Sequence, residues 1–456
     1  MAIAIDADYL VVGAGATGMA FTDALIDHAD VTVALADVRD GPGGHWRDDY
    51  PFVRLHQASS FYGVASTRLG DDRIQTEGPE RGLHERATGA EVRDYYEGVL
   101  AERLVASGRV EPYLGWEHIG GRRLRSVADG AVWEARPGCR VVDARYLGPQ
   151  IPALTPPPFE VDPDARVVTV NELPSVRDAS RVVVAGSGKT ATDAVVWLLE
   201  GGVDPDAVTW IRPRDPWMYN RAVVQPDPLA IARLGADTME AAAGARSLDH
   251  LFVRLEDAGI MLRIDPAVTP TMAKTPTLAR WELELLRSVE HVVRLGHLRR
   301  VSRGRLRLDR GEVEVPDDAV VVHCAADGLR RPGLLPIWRT EAVTPQPIRT
   351  GFPCFGAALA GYVEATRDTD ADKNGLCPPT PYSDTPAQWA EAAVLGARAS
   401  SRFLREPDIR AWADTVALNP ARTPAPSAEL DAVRERLRRH KAQGLARLAQ
   451  LGGVAA

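Results

Sequence analysis

The sequence predicts an α/β protein of two doubly wound, Rossmann-like domains, and three stretches carry that prediction. Residues 9–18, YLVVGAGATG, read as a buried strand that ends in a glycine turn and opens a helix. The next apolar run, VTVALAD, ends in Asp37, close to the ~20 residues past the turn where a carboxylate can accept both hydroxyls of an adenosine ribose. Residues 181–193, RVVVAGSGKTATD, repeat strand, turn and helix. A single turn of this kind is a weak sign, because it can be purely structural. Two in one chain imply two dinucleotides.

In the first turn the three glycines have separate tasks. Gly13 allows the tight bend, Gly15 lets a pyrophosphate approach the backbone, and Gly18 lets the helix pack closely on the strand, so that its unpaired N–H groups face the phosphates. The whole-chain properties narrow the function further. A length of 456 residues is long for one core, and a net charge of −8 offers no basic surface to nucleic acid. No apolar stretch reaches the ~18 residues that span a bilayer. Asp6 and Asp8 stand where a signal peptide needs positive charge, so a cytoplasmic location is expected. The four cysteines, Cys139, Cys324, Cys354 and Cys377, lie far apart, without metal-ligand spacing or a close pair for disulfide chemistry. They read as single buried thiols, and no metal is expected.

After Asp37, residues 41–63 read GPGGHWRDDYPFVRLHQASSFYG, too glycine-rich and aromatic for an ordinary helix. Gly43 and Gly44 permit a close backbone approach, and Trp46, Tyr50, Phe52, Phe61 and Tyr62 supply flat apolar surface for a planar ring system. Gly43-Gly44-His45-Trp46, followed by Tyr50-Pro51 and Arg54, is similar to the G-G-T-W…Y-P-G-x-R-x-D segment of flavin-containing and Baeyer–Villiger (class B) monooxygenases. His45 stands for the Thr of that pattern, Phe52 for the Gly and His56 for the Asp. The F-x-G-x-x-x-H signature of the superfamily is missing before the second turn, where no histidine lies between 119 and 249. The resemblance implies that the first turn binds FAD and that Gly44, His45 and Trp46 run beside the flavin. Arg54, His56 and Gln57 are then the candidate catalytic groups, with His56 placed to donate a proton or polarise a peroxide, or else a structural histidine.

Residues 89–108 have the spacing of an amphipathic helix, with Tyr95 and Tyr96 read as core. Strands around VEPYLGWEHIG, RLRSVAD, AVWEARPG and RVVDARYLG are expected to form an inserted β-ribbon, as the resemblance implies. The proline-rich stretch 151–158 reads as a linker. In the second turn Gly186, Gly188 and Ala191 give the G-x-G-x-x-A form. Lys189 and Thr190 mimic the end of a phosphate-binding ATPase loop, but Val183 occupies the place of its first glycine, which excludes that loop. The following strand ends in Arg212 and Arg214, where a guanidinium can take a 2′-phosphate in bidentate fashion. NADPH is therefore expected over NADH, with Lys189 close enough to assist.

Apart from an amphipathic helix near Leu248 to Ala258, residues 216–276 look irregular and suggest a lid or substrate region carrying Trp217, Met218, Tyr219 and Asn220. Val320–Leu329 resembles a strand that returns the chain to the flavin unit, with Asp327 either an FAD contact or a turn residue. The terminal helix, from Leu430 to Leu451, has one apolar face and a basic one, and reads as a docking helix or a homodimer contact.

The expected arrangement is an NADP domain, residues 159–320, inserted into an FAD domain made of residues 1–158 and 321–456. The resemblance implies an FAD-dependent, NADPH-consuming monooxygenase that passes oxygen from dioxygen to a small molecule through a flavin hydroperoxide. Two other readings stay open on the same frame. One is a flavin reductase, dehydrogenase or oxidase without oxygen insertion, and the other is a nucleotide-sensing flavoprotein without turnover.

Overall fold

Buried, mostly aliphatic runs without polar alternation are the pattern of strands covered on both faces, and Val33–Asp37, Val182–Ala185, Val208–Ile211 and Val320–His323 are the central strands of two parallel sheets. A computed structural model describes residues 4–176, 178–326, 328 and 330–455. The first sheet contains β1 (Tyr9–Val12), β2 (Val33–Asp37), β3 (Val110–Leu114) and β4 (Arg140–Asp143) in the order β3-β2-β1-β4. All its pairs are parallel, with Tyr9 opposite Val33 on one side and Arg140 on the other. The second contains β5 (Arg166–Thr169), β6 (Val182–Ala185), β7 (Val208–Ile211), β8 (Val292–Val293) and β9 (Val320–His323) in the order β5-β9-β6-β7-β8. It too is wholly parallel. Helix α1 (Ala16–His28) follows β1, and α2 (Lys189–Glu200) follows β6. One hydrophobic cluster runs through both units, from Val11, Leu35 and Val142 to Val184, Trp210 and Val322.

Three expectations are corrected here. Val320–His323 does not return the chain to the first unit; as β9 it lies inside the second sheet, between β5 and β6. The chain reaches the first sheet at Val343, which bridges Val142 in parallel, and the Val343 amide donates to the Val141 carbonyl at 2.9 Å. Such a single bridge leaves no strand pattern in the sequence. Secondly, residues 216–276 are largely regular beyond the one helix expected there, which lies at Leu248–Asp257. Trp217–Asn220, Met261–Arg263 and Thr277–Leu278 form a small three-stranded sheet, joined through α3 (Pro228–Ala243) and the helix Leu248–Asp257. Trp217 and Met218 are core residues there. The Asp227 cap and Pro228 at the first helical position are the local signals of α3. Thirdly, β3 and β4 belong to the main sheet, so among the described residues the ribbon contains the antiparallel strands Trp116–His118, Arg123–Ser126 and Val132–Ala135, with Ala4–Ile5 added in parallel beside the last.

Beyond Val343, α4 (Pro353–Thr366) packs on α1 so closely that a side chain on Gly361 would meet the Phe21 carbonyl at 2.3 Å. The Glu364 carboxylate, 1% exposed, accepts from Tyr9 of β1 at 2.7 Å, Lys373 at 2.7 Å, Trp338 at 2.8 Å and Arg140 of β4 at 3.1 Å. A buried carboxylate is tolerated because cations and donors compensate its lost hydration. Helix α5 (Pro386–Phe403) and the terminal α6 (Ala428–Gly452) follow, and α6 lies along α3 with Leu430, Val433 and Leu448 buried. Among the described residues no helix is long and apolar enough to cross a membrane. The four cysteines are buried free thiols.

Candidate functional site

The two glycine turns define the site. In the first, a side chain on Gly18 would stand 1.8 Å from the Gly13 carbonyl oxygen, so helix α1 can approach β1 this closely only with glycine there. Gly43 and Gly44 have positive φ, 105° and 58°, and fold the following segment back over the turn. The Gly43 amide donates to the Ala14 carbonyl at 2.9 Å, and Gly15 and Gly44 are backbone neighbours, an added Cβ on either meeting the other's Cα at 3.0–3.4 Å. Asp37, 7% exposed, accepts from the Ala14 amide through Oδ2 and from the Arg39 amide through Oδ1, both at 2.9 Å. Each oxygen keeps a further acceptor site, as two ribose hydroxyls require.

Trp46 turns inward, donating from Nε1 to the Tyr62 hydroxyl at 2.6 Å in a buried aromatic ladder with Tyr62 and Tyr96. His45 is half-buried, and burial, with the Arg39 cation adding to it, lowers its pKa to about 4. The two helices that follow the glycine turns start at Gly15 and Gly188, without a capping side chain or an acid in the first turn. Among the described residues, six other helices carry Ser, Thr or Asp caps, whereas three begin without a side-chain cap bond. Open helix starts therefore count only together with the glycines: N–H donors and a positive dipole end where the backbone can be approached fit an anionic pyrophosphate.

The segment after Gly44 meets the first turns of α2. The Tyr50 hydroxyl donates to Asp193 Oδ2 at 2.6 Å, Lys189 bonds the same oxygen and also lies 3.2 Å from the Tyr50 hydroxyl, and His56 Nε2 faces Asp193 Oδ1 at 3.5 Å. Phe52 stacks on Trp197 of α2, with centroids 4.9 Å apart. Burial opposes ionisation of Asp193, yet Lys189 and His56 beside it hold the carboxyl well below its ordinary range. Burial also raises the Tyr50 hydroxyl. For His56, burial and the neighbouring Lys189 lower the pKa to about 3, so the imidazole is neutral at pH 7. Its backbone carbonyl accepts from Arg221 Nε at 2.9 Å and from the Thr277 hydroxyl. Arg221, 1% exposed, is neutralised by Glu80 and Glu282.

The other expected site residues are placed as follows. Arg54 is exposed and donates to the Arg86 carbonyl at 3.4 Å, away from the Asp193 cluster. Gln57 is half-buried. Thr190 is half-buried in the first turn of α2. A side chain on Gly186 would meet the Cys324 carbonyl at 2.8 Å, whereas one on Gly188 would meet nothing within 4 Å. Arg212 is only 2% exposed. Its guanidinium lies 4.7 Å over the Trp210 ring and 3.4 Å from Asp215, and Nε and Nη1 are buried without an acceptor. Burial lowers its pKa to about 10, which leaves it cationic. Arg214 pairs with Asp384 through two bonds of 2.9 Å, and Lys189 is engaged with Asp193 and Tyr50 rather than with either arginine. Asp327 lies outside the described residues. Among the described residues no group of three or more metal-ligating side chains is present.

Asp193 and Arg221 had no motif to mark them. Their only local signal was the Lys189–Asp193 spacing of one helical turn, and Arg145, whose Cγ would lie 3.5 Å from a side chain on Gly13, had none.

No protein-family model matches the chain. The chain is 41% identical over 419 residues to the Uncharacterized protein Rv2000 of Mycobacterium tuberculosis (strain ATCC 25618 / H37Rv) and to the Uncharacterized protein Mb2023 of Mycobacterium bovis, matches that cover 91% of this chain and 78% of each relative. Among solved structures it is similar to an oxidized steroid monooxygenase bound to NADP, at 14% identity and a TM-score of 0.48 with 96% of this chain and 98% of that one covered. It is also similar to the NADP+-bound cyclohexanone monooxygenase of Rhodococcus sp. Phi1, at 15% identity and a TM-score of 0.46 over 97% and 98%. A third is the bacillithiol disulfide reductase of Bacillus cereus, at 13% identity and a TM-score of 0.44 over 80% and 100%.

Proposed function

The chain belongs to the same family as the mycobacterial proteins Rv2000, MT2056 and Mb2023, and we propose that it is an FAD-dependent, NADPH-consuming oxidoreductase, a monooxygenase acting on a small molecule. The observation that carries this reading is the junction of the two glycine turns. Tyr50 and His56, downstream of the turn that holds Asp37, meet Lys189 and Asp193 in the first turns of the helix opened by the other. On this reading, Gly13, Gly15, Gly18, Gly44 and Asp37 hold FAD, with His45 and Trp46 beside it. Gly186, Gly188 and Thr190 hold NADPH, with Arg212 and Arg214 facing its 2′-phosphate once their present partners yield. The NADP unit, residues 159 to about 323, then interrupts an FAD unit completed by the rest of the chain. When bound, the two cofactors supply hydride transfer. The chain's own part is to orient them across the junction and to exclude water through the Trp46, Tyr62 and Tyr96 ladder.

A reductase or oxidase on the same frame is the second reading. It is favoured by the exposed Arg54 and by the His56 N–H being turned to Asp193, which together leave the 54–57 segment without an obvious proton donor for oxygen chemistry. Anaerobic mixing of the FAD-loaded protein with NADPH should bleach the flavin absorbance, and an unbleached flavin would sink both readings. On readmitting oxygen with candidate substrates, isotopic oxygen in the product supports the monooxygenase. Stoichiometric hydrogen peroxide instead supports the oxidase.

A further inference from the structure

His56 belongs to the segment that follows the first turn, yet its surroundings come from the second unit: Asp193 faces its ring, and Arg221 and Thr277 hold its carbonyl. A lone pair pointed at a carboxylate oxygen 3.5 Å away is repelled, whereas an N–H is attracted, so the ring proton belongs on Nε2. Asp193 cannot turn away, because its other oxygen is held by Tyr50 and Lys189. The remaining ring nitrogen, Nδ1, is then a bare acceptor, and it is buried with no hydrogen-bond partner among the described residues. A buried polar atom left unpaired costs about 1–3 kcal/mol, so a ligand donor is the natural complement.

We propose that His56 Nδ1 accepts a hydrogen bond from a neutral N–H group of a bound cofactor ring, with Asp193 as the positioning residue that fixes the tautomer. The assignment rests on the nucleotide reading above. Phosphates and carbonyls are excluded as partners because they offer no proton, and an ammonium group is disfavoured by the adjacent Lys189 and Arg221 cations. The adenine amino groups go with the adenosine ends assigned to Asp37 and Arg212, which leaves two sources with the required chemistry, the imide N–H of the flavin ring and the carboxamide of the nicotinamide. No proton changes owner in this contact, and the site selects a ring by its donor.

The test is nitrogen NMR on the full-length protein labelled at histidine, with the His56 resonances assigned by their loss in His56→Gln. The expected spectrum has a protonated Nε2 and an unprotonated Nδ1. The Nδ1 signal should move towards its hydrogen-bonded position when FAD is added to apoprotein if the flavin imide is the donor. It should move only when NADP+ is added to the FAD-loaded protein if the carboxamide is the donor. His56→Phe should weaken whichever nucleotide moves the signal by roughly 5- to 10-fold, read by calorimetry. In Asp193→Ala the single tautomer should give way to a mixture. Flavin absorbance and calorimetry report independently whether each nucleotide binds. If both bind and Nδ1 does not move, or if Nδ1 carries the proton, the acceptor role is overturned. A single tautomer in Asp193→Ala removes the positioning role, and failure of both nucleotides to bind overturns the nucleotide reading and the acceptor role with it.

Discussion

The two glycine turns share a pattern but not their surroundings. The first is enclosed by its own chain: Gly18 touches the Gly13 carbonyl, Gly44 covers Gly15, and Asp37 ties the turn to β2. In the second, Gly188 has open space beside it, and the third position tolerates a buried Ala191. Enclosure suits a ligand that stays with the protein, and openness suits one that exchanges each turnover. On the proposed reading the same fingerprint serves a resident and a visiting nucleotide, and what differs is the covering segment, residues 43–46, rather than the turn.

Three experiments break or sharpen that contrast. The largest effect is expected from Gly18→Ala, whose Cβ would meet a backbone oxygen that cannot step aside. Overpacking of this kind costs about 3 kcal/mol or more, so thermal unfolding should show a strongly destabilised, flavin-free protein. A normal melting temperature with full flavin occupancy would show that the first turn is not tight.

Next is the junction between the turns. The ordinary histidine pKa of 6.5 applies to the unfolded chain, and His56 stands at about 3 when folded. The unfolded state therefore takes up the proton first, so this contribution is fully present above pH 6.5 and is lost as pH falls towards 3. Between pH 6.5 and 5 the loss should be about 2 kcal/mol. His45, at about 4, adds in the same direction. Denaturant unfolding of His56→Asn should show a flatter acid profile than the wild type, and parallel profiles would mean that the imidazole is not held neutral.

The smallest effect on the fold is expected from Gly188→Ala, because the new methyl group meets nothing. Stability should stay within about 0.5 kcal/mol with flavin retained, while NADP+ binding measured by calorimetry weakens roughly 10-fold, about 1.4 kcal/mol. An equal loss of flavin would erase the distinction between the two turns.

Both turns were legible in the sequence because the demand for glycine is local: a bend, a close approach and a helix start lie within six residues. Asp37 was legible for the same reason, standing at the end of the next strand. The junction around Asp193 was not, since Tyr50 and Asp193 are 143 positions apart and no periodicity links them. The burial of Arg212 beneath Trp210 was hidden because a charged residue at a strand end ordinarily faces water. The return of the chain was misplaced at 320–329 because a four-residue valine-rich strand is a much stronger signal than the lone pairing of Val343.

That late pairing bears on the order in which the protein is made. β1 is made well before α4, yet its Tyr9 hydroxyl ends on Glu364, and Val142 of β4 pairs with Val343. The first sheet therefore waits, with the β4 edge and the Tyr9 hydroxyl unsatisfied, until residues 343–364 have emerged. Nascent chains stalled before residue 343 should be the aggregation-prone and chaperone-bound ones. Expression conditions that slow translation between residues 144 and 364 should then cost yield even when every residue is native.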